Sequence, residues 1–455
     1  MASQASGVSR RQFLRVGAAG AALFHVVPRH VLGGQRQRPP SETIDIAAIG
    51  VGGQGGRDLR NFEKENVVAL CDVDDRSMAG AAKRYPTAKR FRDFRKMLDE
   101  VEKEIDAVLV GTPDHTHAVA SMDALRRGKH LYCEKPLAHS IGEVRQLMAA
   151  ARKHKAITQL GNQGHSSEHI RLLCEWVWDG AIGDVALVLA ACSRPESDNR
   201  YFARSKLPLL KERPEVPKEL DWDLWLGPAQ QRPYQPFYLP RLWRGWMPFG
   251  SGIIGDWICH VVDPAFWALG LGAPTSVQAE VDGYDPKRHA DVYPMGARIT
   301  FEFPRKGKRG PVTLVWYDGT RKLPRPKDLE KGRSVPGTGA ILAGSKGKIM
   351  HGSHGAGGCR IIPEATMKAV GKPKRRIPRV KGGHHADWLA AVREGRQAGS
   401  SFDYGGPLTE LGLLGAIAIR FPGQKLGWDA EGMRVTNLAA ANALVNPPYR
   451  TGWTL

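Results

Sequence analysis

Lys135, Asp256 and His260 are the side chains of this 455-residue chain whose types and surroundings suit acid–base chemistry. Lys135 follows the apolar run 130–134 and precedes a proline, which puts an ammonium at a strand end, where parallel sheets hold their ligands. Asp256 and His260 stand four apart in the helical stretch Asp256-Trp257-Ile258-Cys259-His260. Both therefore project from one face, and the carboxylate is expected to orient and charge-stabilise the imidazole. A cation that steadies a developing alkoxide and an imidazole that takes a hydroxyl proton are two of the three requirements for oxidising a secondary alcohol by hydride transfer. The third is a hydride acceptor.

The N-terminal third holds the signature of one. Gly50-Val51-Gly52-Gly53-Gln54-Gly55 fits Gly-x-Gly-x-x-Gly, but with 52 glycines in the chain the pattern alone arises by chance about two-thirds of a time. Its setting carries the weight: it follows the apolar run 44–49 and opens the helical stretch 56–63, where a pyrophosphate can sit on free N–H groups. Gly50 permits the tight turn, Gly52 lets phosphate approach the backbone, Gly55 lets helix and strand pack, and Gly53 and Gln54 complete the loop. Asp72 ends the second strand 22 residues beyond Gly50, where a carboxylate accepts hydrogen bonds from ribose hydroxyls and repels a 2′-phosphate. NAD is thus expected over NADP, although Arg76 nearby offers a phosphate partner.

Three further segments are Gly111-Thr112-Pro113-Asp114-His115-Thr116-His117, Cys133-Glu134-Lys135-Pro136-Leu137 and the Asp256 to His260 stretch. In this order they resemble the glucose-fructose oxidoreductase / inositol dehydrogenase / rhizopine-catabolism (Gfo/Idh/MocA) family, over nearly everything after residue 42. Residues 221–228 and 433–437 look like the exported bacterial branch. The resemblance implies that Lys135, Asp256 and His260 form the catalytic set, and that Thr112, Pro113, His117 and Glu134 line the cofactor cleft. It implies an NAD(P)-dependent oxidoreductase acting on a sugar, sugar acid or polyol. The alternative is a glycosidase that oxidises its substrate transiently with retained NAD, although that branch places a Tyr-x-x-His where this chain has Asp256 ahead of His260.

Two clusters suit a carbohydrate. Trp243-Arg244-Gly245-Trp246, preceded by the aromatic stretch 234–238, offers flat apolar faces and a guanidinium, although such aromatics also serve as ordinary core. Asn162 and Gln163 are polar groups at a strand end, within reach of substrate or of a cofactor carboxamide. His384 and His385 open an apparent helix, where they either cap it or reach the cleft.

The elements that must position these groups divide in two. Strand-like runs at 44–51, 67–73, 107–112, 130–134 and 156–161 alternate with helical patterns such as 91–100, 118–128 and 141–154, which implies βαβ units and a parallel sheet. From about residue 184, strand candidates at 185–193, 277–281, 297–303, 312–317 and 347–351 follow one another across Gly/Pro turns, which argues for a mostly antiparallel sheet. The expected organisation is an α/β chain with a signal and linker over 1–42, a doubly wound Rossmann domain over 43–165, and an α+β substrate and oligomerisation domain over 166–455. A homodimer or homotetramer through the second sheet is expected.

Ser9-Arg10-Arg11-Gln12-Phe13-Leu14 precedes a weakly apolar stretch, 16–27, and resembles a twin-arginine signal, with no clear Ala-x-Ala site after it. That places the protein in the periplasm or cell envelope, exported folded by the twin-arginine machinery, with its dinucleotide tightly bound. No later apolar run reaches the roughly 18 residues of a membrane span. The six cysteines lack a Cys-x-x-Cys pair and read as buried small hydrophobes, and no metal site is expected. The net charge of +20 gathers in Gly/Pro-punctuated segments at 306–309, 321–333 and 368–381, read as solvated loops and not as a nucleic-acid surface.

Overall fold

Six short strands, five of them anticipated as apolar runs, form a parallel sheet in the computed structural model, which describes residues 42–455. The twin-arginine segment lies outside the described residues. Strands β1 (Asp45–Ile49), β2 (Asn66–Cys71), β3 (Lys89–Phe91), β4 (Ala107–Val110), β5 (His130–Cys133) and β6 (Thr158–Leu160) run in the order 3-2-1-4-5-6, all pairs parallel. Helices α1 (Gly53–Leu59), α2 (Asp75–Arg84), α3 (Phe94–Val101), α4 (Asp114–Arg126) and α5 (Ile141–Lys153) make the crossovers. All four residues of β4 are buried, as a strand covered on both faces requires. The strand order reverses between β1 and β4, which opens a crevice at their carboxyl ends, beside Gly50 and Gly111.

Polar residues set the helix starts. Asp74 and Asp93 accept backbone N–H groups at the beginnings of α2 and α3, and Ser140 and Glu143 form a reciprocal capping box on α5. α4 begins at Asp114, four residues earlier than the apolar pattern implies, because Pro113 is the residue before its first turn. His115 and His117 therefore sit in that first turn.

The second sheet has nine strands: β7 (Val185–Ser193), β8 (Ser276–Asp282), β9 (Gly296–Phe303), β10 (Val312–Gly319), β11 (Thr338–Gly344), β12 (Lys348–Gly352), β13 (Arg360–Ile362), β14 (Lys425–Asp429) and β15 (Arg434–Val435). Their order is 13-12-11-7-10-9-8-14-15, and every pairing is antiparallel except that of β7 with β10. Helices α6 (Glu168–Trp178), α7 (Trp222–Leu226), α8 (Gly252–Val261), α9 (Asp263–Leu269), α10 (Glu364–Val370), α11 (His384–Glu394) and α12 (Phe402–Ile419) accompany it. Along β9 the inward residues Ala297, Ile299, Phe301 and Phe303 alternate with more exposed ones, and each fully buried large apolar side chain contributes about 1.5–3 kcal/mol. Ile44–Leu455 is one compact unit whose main core runs from β1 to Val445. The six cysteines are all buried. Among the described residues no helix is long and apolar enough to cross a membrane.

Candidate active site

The glycine turn is built as its spacing requires. Gly50 has φ +78°, the left-handed region, and its N–H donates to Cys71 O at 2.8 Å. A Cβ on Gly55 would stand 1.9 Å from Gly50 O, so only glycine lets α1 start flush against the turn. Asp72 lines the cleft as expected, and its carboxylate also accepts from Val51 N (3.0 Å), Gly52 N (3.3 Å) and Asp74 N (3.1 Å), so it braces the turn as well. Burial pushes it up to about 6 despite those three donors. Arg76 forks the Asp74 carboxylate at 2.8 and 2.7 Å.

A cleft of about 370 Å³ runs from this turn to the β5 end, lined by Gly50, Gly52, Gly53, Gln54 and Asp72 at one side and by Thr112, Pro113, His117, Glu134 and Lys135 along its floor. His117 is a strut: its Nδ1 and Nε2 lie 2.7 and 2.8 Å from Pro136 O and Thr112 O, fixing the Lys135 loop to the end of β4. Glu134 accepts from Gln163 Nε2 at 2.7 Å and Lys135 N at 3.3 Å, and it hydrogen-bonds to Asp58. Asp58 accepts from Gln54 Nε2 and approaches His385 Nε2, both at 3.0 Å, so a buried carboxyl pair joins the glycine loop to the lysine loop. Burial raises both carboxyls, Glu134 to about 8, and Glu134 is the one that keeps its proton.

At the far end the predicted catalytic residues meet, with different partners. Lys135 Nζ donates to Asp256 Oδ1, Tyr201 OH donates to Asp256 Oδ2, and Arg244 Nε lies 3.3 Å from that same oxygen. Trp257 Nε1 donates to the tyrosine oxygen at 2.7 Å. The expectation that Asp256 orients His260 is corrected: the four-residue spacing does put both on one helix face, but donors from three other segments satisfy the carboxylate. His260 Nδ1 is enclosed without a hydrogen-bond partner, and its ring stacks on His354 at 4.2 Å with 21° between planes.

These contacts set the charge states. Burial raises Asp256, but the Lys135 and Arg244 cations overcome it and hold the carboxyl well below the usual range. Burial alone would lower Lys135, yet Asp256 and Glu134 keep it above its ordinary value and therefore charged. Burial first, then the Lys135 and His354 charges, push His260 well below the ordinary imidazole range. The cleft end thus holds a permanent cation beside a neutral imidazole.

Trp243 and Arg244 both line the cleft, the guanidinium lying 4.2 Å above the indole. Asn162 does not reach it: its amide donates to Asp263 at 3.2 Å and accepts from Ser400 Oγ at 2.7 Å, inside a network with buried His165 and half-buried Tyr404. Asn162 is therefore corrected from substrate contact to internal brace, whereas Gln163 beside it does line the cleft. Trp246 and Tyr238 are core, packed with Phe237 and Phe249. His115 is also packing: its Nε2 lies 2.9 Å from Trp225 O. His384 is tied to Leu160 O at 2.7 Å. Sequence reasoning missed Tyr201, Asp58 and His354, all brought by contacts between distant segments. The glycine-rich run 352–358 around His354 was the one available signal.

Residues 44–162 match the family model described as oxidoreductase family, NAD-binding Rossmann fold, and residues 198–455 match its C-terminal alpha/beta domain. Inositol 2-dehydrogenase of Rubrobacter xylanophilus is 31% identical over 152 residues, 32% of this chain and 43% of that protein. Levoglucosan dehydrogenase of Pseudarthrobacter phenanthrenivorans is 27% identical over 219 residues, 48% of this chain and 46% of its own. The chain thus matches about half the length of these curated relatives or less. The WlbA dehydrogenase of Bordetella pertussis, solved with NADH and UDP-GlcNAcA, shares the fold with a TM-score of 0.57 at 16% identity, over 85% of this chain and 99% of that one. With a glycine turn at a parallel-sheet switch point and both family models matched in order, this chain belongs to the Gfo/Idh/MocA oxidoreductase family.

Proposed function

We propose that this protein oxidises a secondary hydroxyl of a sugar, sugar acid or polyol, using NAD held along the cleft from the glycine turn to Lys135. The observation that carries the reading is the convergence at one cleft end of a charged lysine, its carboxylate partner and a neutral imidazole. The cleft fits the dinucleotide because its walls are the glycine turn at one end and this proton-handling cluster at the other. Bound NAD supplies the hydride acceptor. The chain's residues do the rest: His260 takes the hydroxyl proton, Lys135 stabilises the oxygen as negative charge develops, Asp256 holds that ammonium in place, and Trp243 with Arg244 orients the ring.

The preference for NAD over NADP rests on carboxylates at the β2 end. The twin-arginine-like segment supports export to the periplasm or cell envelope through the twin-arginine machinery with NAD already loaded and retained, and the broad second sheet supports a homodimer or homotetramer. A panel of sugars, sugar acids, polyols and glycosides incubated with the protein and NAD, followed by product mass analysis, tests the reading. A product lighter by two hydrogens, with NADH formed, is expected. Release of the aglycone from a glycoside without net NADH would mark the glycosidase alternative. Absence of turnover across the panel would overturn the substrate class.

A further inference from the structure

Past the end of β12 the backbone makes an unusual excursion. His354 (φ 54°, ψ 57°), Gly355 (φ 80°, ψ 46°) and Ala356 (φ 63°) are consecutive left-handed residues, a conformation that a residue with a side chain rarely adopts even singly. Such backbone persists only where its surroundings enforce it, and it gathers at functional sites. Here the enforcement is visible. A Cβ on Gly355 would lie 1.9 Å from Gly164 O, and one on Gly164 would lie 2.2 Å from the His354 carbonyl carbon, so the two segments are pressed backbone to backbone. Ser167 Oγ donates to Gly355 O at 2.5 Å, and Gly352 N donates to Gly357 O at 2.8 Å.

The excursion aims one side chain at the cleft. The His354 ring lies flat on His260 at 4.2 Å and meets Trp257 edge-on at 5.6 Å, while Trp257 meets His260 at 5.7 Å. His354 lines the same cleft as Lys135 and Asp256. Its Nδ1 is 2.9 Å from Ser353 Oγ, which fixes the ring's rotation. His260 itself has no such hydrogen bond at its enclosed Nδ1, so ring contacts with Trp257 and His354 are what hold it.

We propose that His354 is a positioning residue for the proton-transfer step: delivered by a strained loop from the second sheet, it stacks on His260 and fixes the ring that takes the substrate's hydroxyl proton. The inference rests on the oxidoreductase reading for the identity of that proton, but its geometry does not. The titratable groups whose charge acts on His260 are Lys135 from the β5 loop, His354, Asp256 on its own helix and His384 at the start of α11. Two imidazolium rings 4.2 Å apart beside the Lys135 cation repel strongly, so a charged His354 opposes protonation of His260.

Two substitutions separate position from charge. His354→Asn keeps the loop, since Asn tolerates left-handed backbone, and removes the ring; His354→Phe keeps a stacking ring and removes its titration. In histidine-selective NMR titrations of the folded protein, the His260 step is expected about half a pH unit or more higher in both variants. In steady-state assays, H354N is expected to lose at least about fivefold in turnover, with NAD affinity within about twofold and the acid limb of its pH profile moved upward. An unchanged His260 titration in both variants, or wild-type turnover in H354N, overturns the proposal. If the wild type itself oxidises no sugar, the oxidoreductase reading has failed, and the NMR arm still decides the His354–His260 coupling.

Discussion

Replacing Asp256 by asparagine removes one negative charge from a largely buried cluster that has two cations. Lys135 and Asp256 are 11% and 7% exposed, so solvent screening is weak, and Arg244 lies on the same carboxylate. Breaking a buried pair by removing one partner costs roughly 3–5 kcal/mol, because the remaining charge is left uncompensated. The protein can relieve this by releasing the Lys135 proton; at about 1.4 kcal/mol per pK unit, the same energy lowers the lysine by roughly 2–4 units. D256N is therefore expected to acquire a new descending limb in its turnover–pH profile, within reach of neutrality, because an uncharged lysine no longer stabilises the alkoxide. Its melting temperature should fall by about 3 °C or more at neutral pH, for a unit larger than those that lose 2–4 °C per kcal/mol. The sign with pH follows from the depressed Asp256: its contribution is fully present above its ordinary 3.8 and is lost as pH falls towards its folded value, so the gap between wild type and variant should narrow in acid. A D256N protein that melts with the wild type and keeps its alkaline profile would refute the assigned charge states.

Lys135→Met and His260→Ala should each lower turnover at least about a hundredfold while leaving the NAD dissociation constant nearly unchanged; near-normal turnover in either removes that residue from the catalytic set. Glu134, pushed up from 4.5 to about 8, holds a proton in the folded state that the unfolded chain has released, so it lowers stability as pH rises through that window, by at most about 1.4 kcal/mol per unit. Glu134→Gln removes that slope, and its melting temperature should gain on the wild type between pH 5 and 8; parallel curves would place the carboxyl in its ordinary ionisation range. Asp72→Ala unpins Val51 N and Gly52 N and removes a carboxylate from the β2 end, so titrations should show NAD affinity falling by about tenfold and discrimination against NADP relaxing. An unchanged NAD-to-NADP ratio would take Asp72 away from the ribose.

What was legible in the chain followed from local rules. The glycine turn, Asp72 at the strand end and Lys135 after β5 are each fixed within a few residues of sequence, and β7 was anticipated with its observed bounds because an apolar run between turn residues is enough to mark it. Helix α12 was not, because it is buried around nearly its whole circumference and so has no amphipathic period, while Gly405, Gly406 and Pro407 look like breakers. The spacing of Asp256 and His260 specified their shared face but not the donors arriving from the β5 loop, from Tyr201 and from Arg244, which decide what the carboxylate does. Asn162 failed for the same reason: a polar residue at a strand end faces a cleft only if nothing inside claims it, and Asp263 and Ser400 do.

The central claim is that a sugar hydroxyl gives its proton to the cleft end at Lys135 and His260 while bound NAD takes the hydride from the carbon that bears it. The direct test is a single-turnover experiment with stoichiometric NAD, in which the near-ultraviolet band of reduced nicotinamide is followed after adding a sugar found active in the panel, in wild type and in Lys135→Met. The account predicts one equivalent of NADH and one of ketone in the wild type and a rise at least about a hundredfold slower in the variant. Equal rates in the two proteins, or product without any reduced nicotinamide at any time, would contradict it.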